Sequence, residues 1–538
     1  MKDSISSQGF PVVRKDNFYV NDCSEHSGTL EVSNPSATSH FHNGRQSGSN
    51  MRIHKSVSVV LVLSLLAILS SCGGVNHLTN GQGPAPVSGS YTNANLNGSY
   101  AFLIRGTNTA FFSVAGTFQA NGAGMITSGT EDINSPGTSV LMNNVAITGT
   151  YAVLADGRTT ASITSAAGNF VLDFILLSNQ HGLAMRFNNN ATASGSIDLQ
   201  DSTAFSAAAL QGSFAFSLLG SDHGGNLETT AGAFTTLNTN NLNTIQTGVQ
   251  DFNDNGVTSV NRVLTGSLAN PVTGRGIAAL TTNVAALNFI YYIVDANHLL
   301  LVGTDTQQVL AGNVYRQSGA AIPATLVLTM SGAAGTLSLG AGAILKTDAN
   351  NNVLTGSSED VNKAGTITQN IAVSGIYSTI VNGRGTITLP GSTGLTNVAV
   401  YPTDSGFLLM SIDNSAVASG TGFAQQITTP SNSSLSGRFG FSLAGSNTVG
   451  PVDAIAQFTA DGKGSITGNL DENSNGSLGS GLSLAGSYSL AATGRGTSAL
   501  TSSAGTMNLI LYMIDASDFI FLEADTGQVA TGRIQTQQ

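Results

Sequence analysis

Apolar and polar residues alternate along much of the chain, and the alternation restarts about every 110 residues. A period of two predicts β-strands with one buried face. Each unit holds about eight short apolar segments separated by turn residues, and no convincing helical period follows residue 72. Asn121-Gly122 and Asp461-Gly462 follow aromatic strands and predict type I′ hairpin turns, whose two central residues need positive φ. The clearest alternating triplets are Tyr100/Phe102/Ile104, Phe214/Phe216/Leu218 and Phe439/Phe441/Leu443.

Four copies of one unit follow each other, which indicates internal duplication. The opening phrase reads LNGSYAF at 96–102, LQGSFAF at 210–216 and LSGRFGF at 435–441, with a degenerate ATLVLTM at 324–330. Two further phrases, Asp-x-Asn and Gly-Arg, recur in every copy, 24 to 26 residues apart from Asp to Arg. We interpret their charged residues as structural repeat positions: Asp132, Asp251, Asp360 and Asp471, with Arg158, Arg275, Arg384 and Arg495.

These observations predict an all-β protein of four tandem antiparallel domains. Each domain is expected to be an eight-stranded up-and-down barrel, with a two-sheet β-sandwich as the alternative. The L-x-G-x-aromatic opening resembles the first strand of the avidin and lipocalin group, in which Trp occupies the aromatic position, whereas this chain has no Trp. The expected divisions are a disordered, untranslated leader (1–50), a signal peptide (51–71), a flexible tether (72–94) and repeats at 95–205, 206–318, 319–430 and 431–538.

Residues 51–72 have the three parts of an export signal. Arg52 and Lys55 precede an apolar run over 57–69 that is too short to cross a bilayer, which takes roughly 20 residues. Leu69-Ser70-Ser71-Cys72 resembles the bacterial lipobox, which implies acylation of Cys72 and a membrane anchor. The residue after Cys72 is Gly73 rather than Asp, which by resemblance to known lipoprotein sorting implies the outer membrane. The organisation as a whole resembles repeat-bearing lipoproteins of soil bacteria such as acidobacteria, which implies no particular activity.

Composition narrows the possible partners. From Cys72 onward the chain has 13 Lys and Arg against 25 Asp and Glu, a net charge of −12, and no basic patch, which argues against nucleic acid. Only Cys23 and Cys72 occur, so the exported part cannot form an internal disulfide. No cofactor is predicted.

The recurrent phrases are better explained by structural roles than by binding or catalysis. DFNDNG (251–256) and DENSNG (471–476) match the first half of an EF-hand loop, but the twelfth positions are Arg262 and Leu482, which favours Asx-turns over a metal site. In a meander the Asp and Arg phrases lie at opposite strand ends, so we expect separate roles, with Arg158 stacking on Tyr100. Recurrent carboxylates are expected at turns or strand ends: Asp173, Asp295, Asp404 and Asp515.

Catalytic signatures are missing from the sequence after residue 72. Its four histidines never have ligand spacing, and no nucleophile elbow, phosphate loop or zinc motif occurs. We therefore expect no enzyme and no metal. The predicted function is that of a lipid-anchored envelope protein with a structural, adhesive or protein-contact role. The alternatives are a barrel that binds a small apolar ligand and an unrecognised hydrolase.

Overall fold

The computed structural model describes residues 90–135, 142–306 and 308–538, so the leader, the signal segment and Cys72 lie outside it. All described residues belong to one compact unit, Gly73–Gln538. Their regular structure consists of 33 strands and three single-turn 3-10 helices, which confirms the all-β prediction. None of the helices described is long and apolar enough to span a membrane. The 3-10 helices are Asn93–Asn95, Ser202–Ala204 and Asn432–Ser434.

Barrels 1 and 2 are built from the first two repeats. The strands of barrel 1 are β1 (Asn97–Thr107), β2 (Phe111–Asn121), β3 (Met125–Asn134), β4 (Met142–Val153), β5 (Arg158–Ser165), β6 (Phe170–Leu176), β7 (His181–Arg186) and β8 (Thr192–Leu199). Those of barrel 2 are β9 (Gly212–Ser221), β10 (Leu227–Thr239), β11 (Leu242–Asp254), β12 (Val257–Val263), β13 (Thr265–Ala269), β14 (Arg275–Thr281), β15 (Ala286–Asp295), β16 (His298–Gly303) and β17 (Val309–Arg316).

Barrels 3 and 4 are built from the last two repeats. The strands of barrel 3 are β18 (Thr325–Ala334), β19 (Leu337–Lys346), β20 (Asn352–Lys363), β21 (Thr366–Tyr377), β22 (Gly385–Thr388), β23 (Asn397–Thr403), β24 (Gly406–Ser411) and β25 (Val417–Ala424). Those of barrel 4 are β26 (Ser436–Asn447), β27 (Gly450–Asp461), β28 (Ser465–Ser474), β29 (Ser477–Leu490), β30 (Arg495–Ser502), β31 (Gly505–Met513), β32 (Asp518–Glu523) and β33 (Gln528–Thr536).

Each barrel is an antiparallel meander whose last strand pairs with its first, which confirms barrels over sandwiches. In barrel 2 the fourth strand is split at Leu264 into β12 and β13, both paired with β11, and the sheet still closes. Closure leaves no unpaired edge, and about eight strands enclose a space that side chains can fill. Tyr100, Phe102 and Phe118 fill barrel 1 at 0–1% exposure. In the degenerate third copy the pairing with the last strand places Leu326 and Leu328 at the positions of Tyr100 and Phe102, two residues earlier than the phrase at 324–330 implied.

The turn prediction for Asn121-Gly122 and Asp461-Gly462 is wrong. Gly122 and Gly462 have φ of 72°, but neither preceding residue is left-handed. The Asn121 and Asp461 side chains instead accept backbone N–H groups up to four residues ahead, which makes a longer turn. Paired positive φ angles occur at other hairpins: Asn255-Gly256, Ala364-Gly365, Asn475-Gly476, Thr273-Gly274 and Asn382-Gly383.

The four barrels contact one another in a closed cyclic order. The first two strands of each barrel pack against the apolar hairpin of the next barrel. Thus β1–β2 contact β15–β16, β9–β10 contact β23–β24, and β18–β19 contact β31–β32. The same strands of barrel 4, β26–β27, contact β6–β7 of barrel 1, so the fourth contact returns to the first barrel.

A buried apolar cluster lies in each of these four interfaces. Between barrels 2 and 3, Ala215, Ala231 and Ala233 face Tyr401 and Met410. Small residues on one side admit large side chains from the other, so the two sheets can approach closely. The cluster between barrels 4 and 1 is the smallest, and Ile455 is the one residue of barrel 4 in it.

The segments that follow each barrel reinforce the same order. Gln200, Gln317 and Gln425 each donate a side-chain amide to a backbone carbonyl of the next barrel. Gln537, which follows the last strand, donates in the same way to the carbonyls of Asp156 and Leu176 in barrel 1, at 2.7 and 2.8 Å. Barrel 4 therefore meets barrel 1 through the same strands and the same glutamine position that join consecutive repeats.

Candidate functional site

The Asp and Arg phrases meet between barrels, so the expectation of separate roles is wrong. In a single meander the two residues are far apart, but each Arg reaches back to the Asp of the preceding barrel, and Arg158 of barrel 1 reaches barrel 4. We call each such contact a joint and name it by its two barrels. The pairs are Asp132–Arg275 (2.8 Å), Asp251–Arg384 (2.6 Å), Asp360–Arg495 (2.8 Å) and Asp471–Arg158 (3.3 Å).

Local turns set up these pairs. The Gly before each Arg has a positive φ, between 77° and 91°, which turns the chain so that Arg begins the next strand or, at Arg384, directly precedes it. The Asp side chain is also fixed from its own barrel, since Asp360 accepts the backbone N–H of Asn370 at 2.8 Å. Each Asp is at most 3% exposed, so its charge depends on these partners.

A tyrosine adds a third partner in three joints. Tyr292, Tyr401 and Tyr512 donate their phenol hydroxyls to Asp132, Asp251 and Asp360 respectively, the last at 2.7 Å. Burial, together with the neighbouring carboxylate, raises the pKa of each phenol well above 10, so the hydroxyl keeps its proton and remains a donor.

The Asn of each Asp-x-Asn phrase completes the joint. Asn473 donates its amide to the carbonyls of Arg186, Asn188 and Ala191 in barrel 1, at 2.9 to 3.1 Å. Asn134, Asn253 and Asn362 bind carbonyls of barrels 2, 3 and 4 in the same way. The amide thus satisfies buried backbone acceptors of the neighbouring barrel, a role that the sequence did not indicate.

The 4–1 joint differs from the other three. Ile175 occupies the tyrosine position, because it pairs with Arg158 as Tyr292 pairs with Arg275. Arg158 also donates to Asp156 of its own barrel at 2.9 Å, so its guanidinium is shared. This joint therefore has a longer ion pair and lacks the phenol donor.

Two buried carboxyls lie near the 4–1 joint. Burial raises the pKa of Asp173 from 3.8 to about 7, and the charge of Asp471 raises it further. Burial likewise raises the pKa of Asp453, hydrogen-bonded to Ser194 of barrel 1, to about 7. At equivalent strand positions barrel 2 has Ile290 and Thr229. The carboxyls are thus particular to this joint.

Two further expectations need correction. Arg158 does not stack on Tyr100. The Tyr100 ring stacks on Phe118, with 5.6 Å between the ring centroids, and its hydroxyl donates to the Asn179 carbonyl. Asp173 does not belong with the recurrent turn carboxylates, since it lies within β6. Asp295 and Asp515 do accept turn N–H groups, from Asn297 and Ser517. Asp404 follows β23 in the turn before β24.

The EF-hand-like phrases are occupied by protein contacts. Asp251 and Asp471 bind arginines, while the Oδ1 atoms of Asn253 and Asn473 accept the N–H groups of Gly256 and Gly476 at 3.1 and 3.0 Å. Within residues 90–135, 142–306 and 308–538 no group of three or more His, Cys, Asp and Glu side chains is placed to hold a metal ion.

Comparisons with known proteins do not assign a family. No protein-family model matches the chain. No curated protein matches it either. Among solved structures, a transferrin binding protein B mutant from Haemophilus parasuis Hp5 aligns with 86% of this chain and 98% of its own, at 7% identity and a TM-score of 0.19. Intact Ap-TbpB (N and C lobes) covers 85% and 98% at 9% identity and a TM-score of 0.18. Scores this low carry no argument about function.

Proposed function

We propose that the protein is a lipid-anchored, non-catalytic component of the bacterial cell envelope, held in the outer membrane through Cys72, with a structural or protein-contact role. The observation that carries this proposal is that the recurrent polar groups lie at the contacts between barrels. The Asp, Asn and Arg residues repeated in every copy join one barrel to the next, which favours a single four-barrel body over four equivalent active sites.

Packed interiors favour this role over storage of an apolar ligand. Aromatic side chains such as Phe214, Phe216 and Phe289 fill barrel 2 at 0–1% exposure. The outside of barrel 2 offers a contact surface, since Val257, Val263 and Ile277 are 58–74% exposed there. Val257 and Val263 lie at the two ends of β12 and Ile277 lies on β14, so they are separate candidate contact positions rather than one apolar patch.

The anchor is tested by expressing the full chain in a bacterial host and analysing residue 72 by mass spectrometry after membrane fractionation. We expect a diacylglyceryl-modified Cys72 at the new N-terminus and a Cys72→Ala variant that leaves the membrane fraction. Ser88→Ala, a small change in the predicted tether, is the control and should behave as the unaltered chain does. Membrane retention of Cys72→Ala, or an unmodified thiol at position 72, would contradict the proposal.

The contact surface is tested by a photo-crosslinking residue in place of Ile277 in living cells of the source organism, with the same residue in place of exposed Leu478 in barrel 4 as control. We expect a crosslinked protein band at Ile277 that is missing at Leu478. Equal bands at both positions, or none, would contradict a contact role for barrel 2.

A further inference from the structure

A cavity of about 270 Å³ with a mixed polar and apolar lining lies at the centre of the cycle of barrels. Its lining comes from the first and last strands of barrels 1, 3 and 4, together with Ile520. Barrels 1 and 3 are not neighbours in the cycle, so a space between them is central. Arg105, which lines it, donates to the carbonyl of Ala311 in barrel 2 at 3.1 Å, so all four barrels meet here.

Arg105 is a partly buried cation for which the described residues supply no carboxylate partner. Among the described residues, no Asp or Glu oxygen lies within ion-pairing distance of its guanidinium, and its one hydrogen bond there is to Ala311. Burial lowers its pKa below the usual 12.5, whereas Arg275, paired with Asp132, has a raised pKa. The other copies have Leu219, Ser331 and Ala444 at this position, so barrel packing does not need an Arg there.

A second guanidinium and several hydroxyls face the same cavity. Arg533 pairs with Asp518 through Nε, at 2.8 Å, and through Nη2, which leaves Nη1 outside that pair. Hydroxyl side chains supply further donors: Ser194, Thr421, Ser442 and Thr531. An interface carboxyl, Asp453, bonds Ser194, and burial raises its pKa to about 7, so it carries less than a full negative charge at neutral pH.

This arrangement is selective for negative charge. A guanidinium presents several N–H donors in a plane that matches the oxygens of phosphate or sulfate, and such charge-assisted bonds are stronger than neutral ones. A water molecule occupies about 30 Å³ in the liquid. A cavity of about 270 Å³ therefore has room for a four-oxygen anion with part of its hydration shell. The chain as a whole carries a net negative charge, whereas the charged side chains that line this cavity are both arginines.

We propose that the central cavity binds a small inorganic oxyanion, phosphate or sulfate, through the guanidinium of Arg105, with Arg533 and the cavity hydroxyls as further donors. The bound anion neutralises a cation that has no carboxylate partner among the described residues, at a place where all four barrels meet. It therefore stabilises the closed cycle in addition to occupying a site.

The test uses residues 73–538, the compact unit that contains every described strand. Sodium phosphate and sodium sulfate are titrated calorimetrically, with sodium chloride holding ionic strength constant, and thermal unfolding is followed in parallel. We expect saturable binding of phosphate or sulfate and an unfolding temperature that rises with either anion and not with chloride.

Arg105→Gln separates the site from a general charge effect. It keeps an N–H donor for Ala311 and removes the cation, so we expect binding at least about ten-fold weaker and an unfolding temperature without anion that is unchanged or higher. Arg262→Gln, which removes the same charge from β12, should bind within about two-fold of the original chain. Failure of the original chain to bind either anion, or unchanged binding by Arg105→Gln, would overturn the proposal.

A conservative variant covers the case in which Arg105→Gln does not fold. Arg105→Lys keeps the charge but loses the planar donor pair, so we expect weaker, still saturable binding. Binding equal to that of the original chain would count against Arg105 as the ligand of the anion. Neither result depends on the lipid anchor, so this test and that of the proposed function can fail separately.

Discussion

Asp360→Asn is a small chemical change, but it should weaken the 3–4 joint strongly. The substitution removes one negative charge and leaves the shape of the side chain almost unchanged. Asp360 is fully buried and accepts from two nitrogens of Arg495, at 2.9 and 2.8 Å, and from the Tyr512 hydroxyl at 2.7 Å. An amide cannot accept all of these bonds, and Arg495 loses its counter-charge.

The expected magnitude follows from the burial of the pair. Removing one partner of a buried ion pair costs about 3–5 kcal/mol, because the other charge stays desolvated. For a unit of about 110 residues each kcal/mol shifts the unfolding temperature by roughly 4 °C, so the barrels at this joint should unfold more than about 10 °C lower. Asp471→Asn should have a smaller effect, because its Arg158 is 3.3 Å away and already shared with Asp156.

Differential scanning calorimetry of residues 73–538 is the suitable assay, since several barrels can unfold in separate transitions. Asp461→Asn is a matched control: it removes one charge at a turn where barrel 1 already has Asn121. Its unfolding temperature should stay close to that of the original chain. A shift below about 2 °C for Asp360→Asn, or a larger shift for Asp471→Asn, would refute the reasoning about the joints.

Three further predictions concern other parts of the same interfaces. The Asp173 and Asp453 carboxyls have a pKa of about 7 when folded and 3.8 ordinarily, so the folded state holds more protons between these values. The free energy of unfolding should therefore fall as pH rises from about 4 to 7, by on the order of 4 kcal/mol per carboxyl. Urea midpoints measured over this pH range should change less in the double variant Asp173→Ile, Asp453→Ser. An unchanged dependence of the midpoint on pH would contradict this. Gly256→Ala places a Cβ 2.4 Å from a barrel 3 carbonyl and should lower the unfolding temperature much more than Gly225→Ala, which has a similar φ and open space; equal shifts would contradict it. Millimolar calcium should leave the unfolding temperature unchanged, because Asp251 is bound to an arginine; a chelator-reversible rise would contradict this.

The barrel fold could be predicted because it depends on local signals. Alternation at Tyr100, Phe102 and Ile104, hairpin-length connections and a unit of about 110 residues together favour a closed meander. The degenerate opening of the third repeat does not prevent closure, since Leu326 and Leu328 fill the same space as the aromatic residues. Apolar periodicity, rather than residue identity, determines this level of structure.

The joints could not be predicted by the same reasoning. The recurrence of Asp132 and Arg158 in every copy showed a constraint, but spacing within one repeat says nothing about contacts between repeats. Asp132 binds Arg275, which lies 143 residues further along the chain. Asn134 and Tyr292 carried the available signal: the amide recurs in all four copies and the phenol in three. The central cavity gave no repeating signal, because Arg105 occurs in one copy alone.

The central claim is that barrel 4 closes on barrel 1 as each barrel joins the next. Pulsed electron paramagnetic resonance measures this directly, since the chain has no cysteine after Cys72 and spin labels can be placed at will. The labels are placed at equivalent exposed hairpin ends, in the pairs Ala123/Thr239 for barrels 1 and 2 and Ala123/Lys463 for barrels 1 and 4. A closed cycle predicts similar distances for the two pairs. A distance for Ala123/Lys463 approaching three times that for Ala123/Thr239 would show a linear string of barrels and contradict the account.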